Sequence, residues 1–585
     1  MNIFNIIRND IIAAINQLVE SDDLPSGLNL EAITAEPPRD ASHGCVATNA
    51  AMVIAKPAKS NPRAVAEKIT NLLNQNDKIE KVDIAGPGFI NLTLNQNIWQ
   101  NVIKEVLALD NSFGNSNIGA GEKINLEYVS ANPTGPMHIG HSRGAVVGDV
   151  LARLLVKAGY NVTKEYYIND AGSQIDMLAR STYMRYCEAA GQEIGELLEG
   201  MYPGDYLRIV GESFYQAFGD KYLHRQEEDY LPKIKEFALE AMLDLIKSDL
   251  RDMGVEHDIF SSEKAIVRDE NLDHIIGFLS EKGDYVYQGV LEPPKGKKPE
   301  DWEEREQTLF RATEFGDDVD RPLRKSDGSR TYFASDIVYH HNKIERGFNN
   351  MILTLGADHG GYVKRMRAAV KALSNDKAKI NILIFNLVNF MENGVPLKMS
   401  KRAGTYVTVK DVIDAVGKDV LRFIMLTRKA DASLDFDLVK VKEQSKDNPV
   451  FYVQYAHARI NSVLRNVASE MTEIDVSKIS KIVPETLTKI TSDVELSLVK
   501  KLAEWPRIVE AAAKSNEPHR IAFYLQELAA NFHSLWSAGS SDENLKFIIK
   551  EDVDLTMARL ALIKACAITI SSGLNVMGVE PVLEM

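Results

Sequence analysis

The sequence predicts an α/β protein built around a parallel sheet, with a small α+β module before it, a helical insertion inside it and an all-α bundle after it. Three observations carry this prediction. A buried-strand pattern, a Pro/Gly loop and a long helical pattern succeed one another from Lys123 to about Leu155. The same alternation returns between residues 352 and 385, and beyond Asp437 the apolar residues recur almost only at helical spacing. At 585 residues the chain exceeds what one hydrophobic core sustains, so several domains are expected.

Taken in order, Phe4, Ile7, Ile11, Ile15 and Leu18 lie at helical spacing and are interrupted by Arg8 and Asp10, which predicts an amphipathic helix and not a secretory leader. A polar stretch around Pro37, Pro38, Arg39 and Asp40 follows, then a helix through Pro62 and Arg63. Residues 82–91 read as a strand, a Gly-Pro-Gly turn and a second strand, which completes a module of residues 1–110. The central domain, 111–440, opens on a strand over 124–129 and a helix from Ile139. Residues 179–285 turn helical and charged and are expected to be an insertion. Alternation resumes with a strand at 352–355, a helix over 365–373 and a strand over 380–385. The last domain, 441–585, places helices over 448–465, 498–513 and 520–535.

With 45% apolar and 26% charged residues the composition is that of a globular protein. Cys45, Cys187 and Cys566 lie far apart without a Cys-x-x-Cys, which speaks against a disulfide framework and structural zinc and fits a reducing cytosol. A cytoplasmic monomer without a tightly bound metal is the expectation. No run approaches the roughly 18 unbroken apolar residues that a membrane span needs. The net charge of −15 gives no electrostatic footprint of a general nucleic-acid binder.

Two motifs carry chemistry. Residues 131–141 read Ala-Asn-Pro-Thr-Gly-Pro-Met-His-Ile-Gly-His between the strand and the helix. A helix starting there aims free backbone N–H groups and its positive dipole end at the loop, which suits a phosphate. Pro133 and Gly135 shape that loop, Gly140 admits a nucleotide close to the backbone, and His138 and His141 supply imidazole donors for charge growing on an α-phosphate. The second motif is Lys398-Met399-Ser400-Lys401-Arg402. Three cations on a loop ending in Ala403-Gly404 suit a mobile clamp for a triphosphate, although such a run standing alone reads more readily as a solvated basic loop.

A His-x-Gly-His early in an α/β domain, with Lys-Met-Ser-Lys about 260 residues later, resembles the paired signature of class I aminoacyl-tRNA synthetases, whose catalytic domain is Rossmann-type. Residues 127–132, Glu-Tyr-Val-Ser-Ala-Asn, look like the version of that strand end found in the arginyl-tRNA synthetase family, bacterial type. Residues 331–341, Thr-Tyr-Phe-Ala-Ser-Asp-Ile-Val-Tyr-His-His, look like its arginine-binding helix. The chemistry fits: a guanidinium offers five donors and no acceptor, so its site must present carboxylates.

The resemblance implies ATP-dependent activation of L-arginine and transfer to tRNA(Arg), with Mg2+ accompanying ATP. Asp336 and Glu127 would hold the guanidinium, Tyr332 would border it, and Asn132 and Ser130 would lie near the α-amino and carboxylate groups. Tyr332 and Asp336 stand four apart and share one helical face. Standing alone, Asp336 would read as an exposed helical carboxylate. Asp358 and His359, in Gly-Ala-Asp-His, are placed near the adenosine or the amino acid. Residues 447–459 resemble the first helix of the family's anticodon-binding domain. There 16 Lys and Arg stand against 19 Asp and Glu over 441–585, so tRNA recognition is expected from base stacking on Tyr455 and a placed cation, Arg459. Tyr455 equally suits the bundle core. In the first module Asn49 is the candidate contact with the outer corner of the tRNA.

Overall fold

The computed structural model describes residues 2–292, 303–397, 407–443, 445, 447–471 and 474–585, so Lys398, Met399, Ser400 and Lys401 lie outside the described residues. Contacts divide the chain into two compact units, one of residues 117–444 with 517–519, the other of 1–116, 445–516 and 520–585.

The first of these units is built on a five-stranded, wholly parallel sheet in the order Lys379–Phe385, Asn350–Gly356, Lys123–Glu127, Asn161–Ile168, Ile259–Ser262. Ile124, Leu126, Met351, Ile352 and Leu353 are buried, as strands covered on both faces require. Strand order reverses between Lys123–Glu127 and Asn350–Gly356, so the crevice for a ligand opens at the carboxyl ends marked by Glu127 and Gly356. The helix Ile139–Lys157 packs under this point, and Gly148 lets it come close: a Cβ there would stand 2.3 Å from the Tyr128 ring.

Two expectations are corrected here. The first strand stops at Glu127, because Val129 and Ser130 take φ of +71° and +41°. A β-branched residue in that region is strained, and such strain gathers at functional sites. The helical insertion also ends earlier than 285. Its helices Ser173–Ala189, Tyr206–Phe218 and Glu227–Asp252 pack through aromatic pairs such as Tyr183 on Tyr230, 3.6 Å apart. The chain then re-enters the main sheet at Ile259–Ser262, a four-residue strand too short to show a period of two.

In the other unit, a four-stranded antiparallel sheet is ordered Ala35–Glu36, Val46–Thr48, Phe89–Leu94, Ile79–Ala85. The opening helix Ile3–Glu20 buries the five residues whose spacing predicted it. The expected helix over 498–513 is two helices, Asp493–Ala503 and Trp505–Ser515, because Pro506 has no N–H to continue the ladder. The two ends of the chain, separate modules in sequence, share this unit. The Trp505 indole donates to the Phe113 carbonyl at 3.1 Å, and the helix Gln96–Leu109 lies against Val553–Met577 and Asp493–Ala503. Val553–Met577 is long and apolar enough to cross a membrane, but 78% of its most apolar stretch is buried within the protein, as in a core helix.

Candidate active site

The loop 131–137 and the start of the helix Ile139–Lys157 form the rim of the crevice. His138 is the N-cap of that helix, and its ring stacks on His141 with centroids 3.7 Å apart. A Cβ at Gly140 would stand 2.9 Å from the His138 ring, so the glycine makes room for this packing of the two imidazoles. The motif backbone is pinned to the segment after the basic loop. Ile139 N–H donates to the Val407 carbonyl at 3.1 Å, Val409 N–H donates to Met137 at 2.9 Å, and His138 bridges Thr408. Residues 407–409 thus lie against the histidine motif. The helix is anchored deeper down by Arg143, fully buried, whose guanidinium donates to the carbonyls of Asn386, Lys429 and Ala432 at 2.7–3.0 Å.

At the sheet's carboxyl end the carboxylates fall into two groups. Glu127 and Glu165 are register partners on adjacent strands, so two acids face the same side. The helix Tyr332–Glu345 and its cap, Arg346, lie over them. Lys343 Nζ stands 2.5 Å from Glu127, and Arg346 donates to both oxygens of Glu165 at 2.8 and 2.9 Å. Glu165 also accepts from Ser261, Asn125 and Tyr339 at 2.5–2.9 Å. Burial raises its pKa, but the charges of Lys343 and Arg346 with the hydrogen bonds win, leaving it at about 2. The second oxygen of Glu127 accepts from Ser130 Oγ at 3.1 Å, and Ser130 in turn accepts from the Tyr167 N–H at 3.0 Å, which holds the left-handed kink.

Asp336 and Glu263 behave oppositely. Burial, then the charges of Glu127 and Glu263, push the Asp336 carboxyl up to about 7, against the pull of Arg365 and a hydrogen bond with Tyr362. Glu263 is raised too, by burial first and by Asp170, against hydrogen bonds from Tyr167 and Ser335 and the charge of Arg330. The Tyr167 hydroxyl is held un-ionised by burial and by Glu263, Asp336 and Glu127 together. A cationic ligand here would be met by carboxylates short of positive charge and by tyrosine hydroxyls.

Of the other expected residues, Asn132 hydrogen-bonds Gln174 and Asn169 at 3.0 and 3.3 Å on the same rim. Pro133 is buried, and Gly135 packs against the Tyr206 hydroxyl. Tyr332 is 67% exposed at the start of its helix, which Thr331 caps. Asp358 and His359 fall in a turn, Ala357–His359, directly after the switch-point strand, where the His359 ring lies 5.8 Å from Tyr362. Glu263, Tyr167, Tyr362 and Lys343 were not foreseen. Glu263 follows a sheet strand at its carboxyl end, the one signal that would have flagged it.

In the other unit Tyr455 and Arg459 are half-buried on the helix Pro449–Glu470. The Arg459 guanidinium lies 4.3 Å from the ring centroids of both Tyr455 and Trp536, and Phe451 stacks on Tyr455. Asn49 is engaged locally, accepting from Thr34 N–H at 2.8 Å and donating to Ala32 at 3.1 Å. It borders a hollow of about 520 Å³ that also holds Arg39, His43, Asn91 and Phe89, the last 42% exposed.

Comparison with known proteins gives a consistent match along the whole chain. Residues 5–94 match the family described as arginyl tRNA synthetase N terminal domain, 102–465 that described as tRNA synthetases class I (R), catalytic domain, and 453–585 the DALR anticodon binding domain. The chain is 54% identical over 585 residues, all of both chains, to an arginine–tRNA ligase of Cereibacter sphaeroides. It is 53% identical over the same length to that of Roseobacter denitrificans. A crystal structure from Campylobacter jejuni superposes with a TM-score of 0.72 at 31% identity, covering 84% of this chain and all of that one. The Thermus thermophilus structure superposes with the same score at 20% identity, over 99% and 100%.

Proposed function

The chain belongs to the arginyl-tRNA synthetase family and is an arginine–tRNA ligase, and from that premise we propose how its residues divide the work. Asp336 and Glu263 accept the guanidinium N–H groups of arginine, with Tyr167 and Tyr362 beside them. What supports this assignment is the grouping of Asp336, Glu263, Tyr167 and Tyr362: burial first, then the charges of Glu127 and Glu263, push the Asp336 carboxyl up to about 7, and an incoming cation stabilises an acid so placed. Glu127, already paired with Lys343, fixes Ser130 and the kink that shapes the site, while Ser130 and Asn132 border the α-amino and carboxylate end.

ATP enters as its magnesium complex with the α-phosphate at the N-terminus of the helix Ile139–Lys157. Mg2+ enters with ATP as part of the substrate. The arginine carboxylate attacks the α-phosphorus and pyrophosphate leaves. His138 and His141 donate to the oxygens on which charge grows, and Lys398 and Lys401, with Met399 and Ser400 between them, cover the leaving phosphates. A ribose hydroxyl of the 3′-terminal nucleotide of tRNA(Arg) then attacks the adenylate carbonyl, the ester forms as that hydroxyl gives up its proton, and AMP leaves. Tyr455 and Arg459, with Trp536, offer a stacking surface to an anticodon base, and the Asn49 hollow offers one to the outer corner of the tRNA. A monomer in the cytoplasm fits this reading.

The test is transfer of labelled amino acids to total tRNA by the wild type, with His141→Ala and Lys401→Ala beside it. Arginine alone should be transferred, both variants should lose most activity, and arginine-dependent ATP–pyrophosphate exchange should need tRNA. Charging by either variant at the wild-type rate would defeat the assignment of that residue.

A further inference from the structure

The helical insertion touches the nucleotide loop at two points. The Tyr206 hydroxyl donates to the Thr134 carbonyl at 2.7 Å, and the Met137 N–H donates to the Asp249 carboxylate at 2.8 Å. Tyr206 begins one insertion helix and Asp249 lies near the end of another, Glu227–Asp252, and the two helices pack on the same third helix, Ser173–Ala189. Asp249 is 4% exposed and Met137 is 1% exposed. Met137 therefore has its N–H held by the insertion and its carbonyl held by Val409, and the next residue is His138.

We propose that Tyr206 and Asp249 are positioning residues for adenylate formation: the insertion clamps residues 134–137 from outside and sets where the His138 ring meets the α-phosphate. The inference rests on the reading of His138 and His141 given above. A buried carboxylate accepting one backbone N–H is a strong, directional anchor, and a misplacement of about 1 Å at such a motif costs up to about a hundredfold in rate. The anchor is also a costly one. Burial raises the Asp249 carboxyl to about 6, with Asp252 adding to the rise and the Met137 N–H and Lys410 opposing it.

The experiment is arginine-dependent ATP–pyrophosphate exchange with tRNA present, on the full chain and on Asp249→Ala, Asp249→Asn and Tyr206→Phe, each with a thermal melt. D249A is expected to lower kcat about tenfold to a hundredfold with KM for arginine within about twofold. D249N keeps an oxygen for the Met137 N–H and sheds the buried charge, so it should restore kcat to within about threefold and melt no lower than the wild type. Y206F should lower kcat by a few fold without a change in arginine KM. Wild-type kcat in both D249A and Y206F would overturn the clamp, as would a D249N as impaired as D249A. If D249A does not fold, Y206F and D249N decide. H141A separates the two layers: an active H141A sinks the histidine reading, whereas an inactive H141A beside normal D249A and Y206F sinks the clamp alone.

Discussion

Two sets of carboxylates sit at the same end of the same sheet, and the protein treats them in opposite ways. Glu165 is enclosed by Arg346, Ser261, Asn125 and Tyr339 and held near 2, whereas Asp336 is pushed up to about 7 by burial and then by the charges of Glu127 and Glu263. The first acid is satisfied by the fold and the second is left for a ligand. On the reading proposed above, the same residue type does structural work on the strands and recognition work on the helix Tyr332–Glu345 and at Glu263. Desolvation raises both; what separates them is that Lys343, Arg346 and close hydrogen bonds outweigh it at Glu165, while Arg365 and Tyr362 do not outweigh it at Asp336.

The largest consequence should be at Asp336. A site built to hydrogen-bond a cation leaves buried acceptors or the cation itself unpaired when one partner is removed. Asp336→Ala should lower kcat/KM for arginine by about a thousandfold or more, with KM for ATP nearly unchanged. Steady-state aminoacylation at varied arginine checks this; a loss of less than tenfold would return Asp336 to the surface carboxylates. Glu165→Ala should act on the fold instead. Arg346 is left without its buried partner, which costs about 3 kcal/mol of stability in a urea titration, while arginine KM in the folded fraction stays within a few fold.

The two acids also part company with pH, and the signs are opposite. Asp336 must be ionised to hold a guanidinium, so apparent arginine affinity should fall as pH drops through about 7, by up to about tenfold per unit below it. A raised folded pKa means the folded state takes up this proton more readily than the unfolded chain, so the group adds stability as pH falls from above 7 toward 4. Glu165 contributes stability above its unfolded value of about 4.5 that is lost as pH falls toward about 2. Arginine KM measured from pH 8 to 5.5, alongside melts over the same range, should show binding failing first with the fold intact. A pH-independent arginine KM would break the distinction.

The parts of this site that the sequence shows are those encoded locally. The first sheet strand, expected over 124–129 and ending at Glu127, the Pro/Gly loop and the histidine helix announce themselves by apolar period and by Pro133, Gly135 and Gly140 within a few residues. Tyr332 and Asp336 share a face by spacing alone. What stays hidden is long-range. Lys343 meets Glu127 across 216 residues and Met137 meets Asp249 across 112, and no local pattern encodes either. Glu263 was hidden for a different reason: its strand is four residues long and lies between helices, so its period could not be told from theirs. The joining of the two chain ends in one unit rests on contacts such as Trp505 to Phe113, which only the fold brings together.

The smallest effect should come from the residue that stands between the two sets. Glu127 is paired with Lys343 and Ser130 like a structural acid, yet its charge is the second cause of the rise at Asp336. Glu127→Gln keeps an oxygen for Ser130 but removes that charge and takes from Lys343 the nearer of its two acids, and both changes favour the ionised Asp336. The acid limb of the arginine KM profile should therefore move down, by less than about one unit, since one neighbouring charge a few ångströms away in a partly solvated site contributes on that scale. At pH 8, where Asp336 is ionised in either protein, kcat/KM for arginine should change by less than about tenfold. A collapse as deep as that of Asp336→Ala would instead make Glu127 a direct guanidinium ligand. Its pairing with Lys343 would then have to open whenever arginine binds, and the division between satisfied and waiting carboxylates would fall between Glu127 and Glu165.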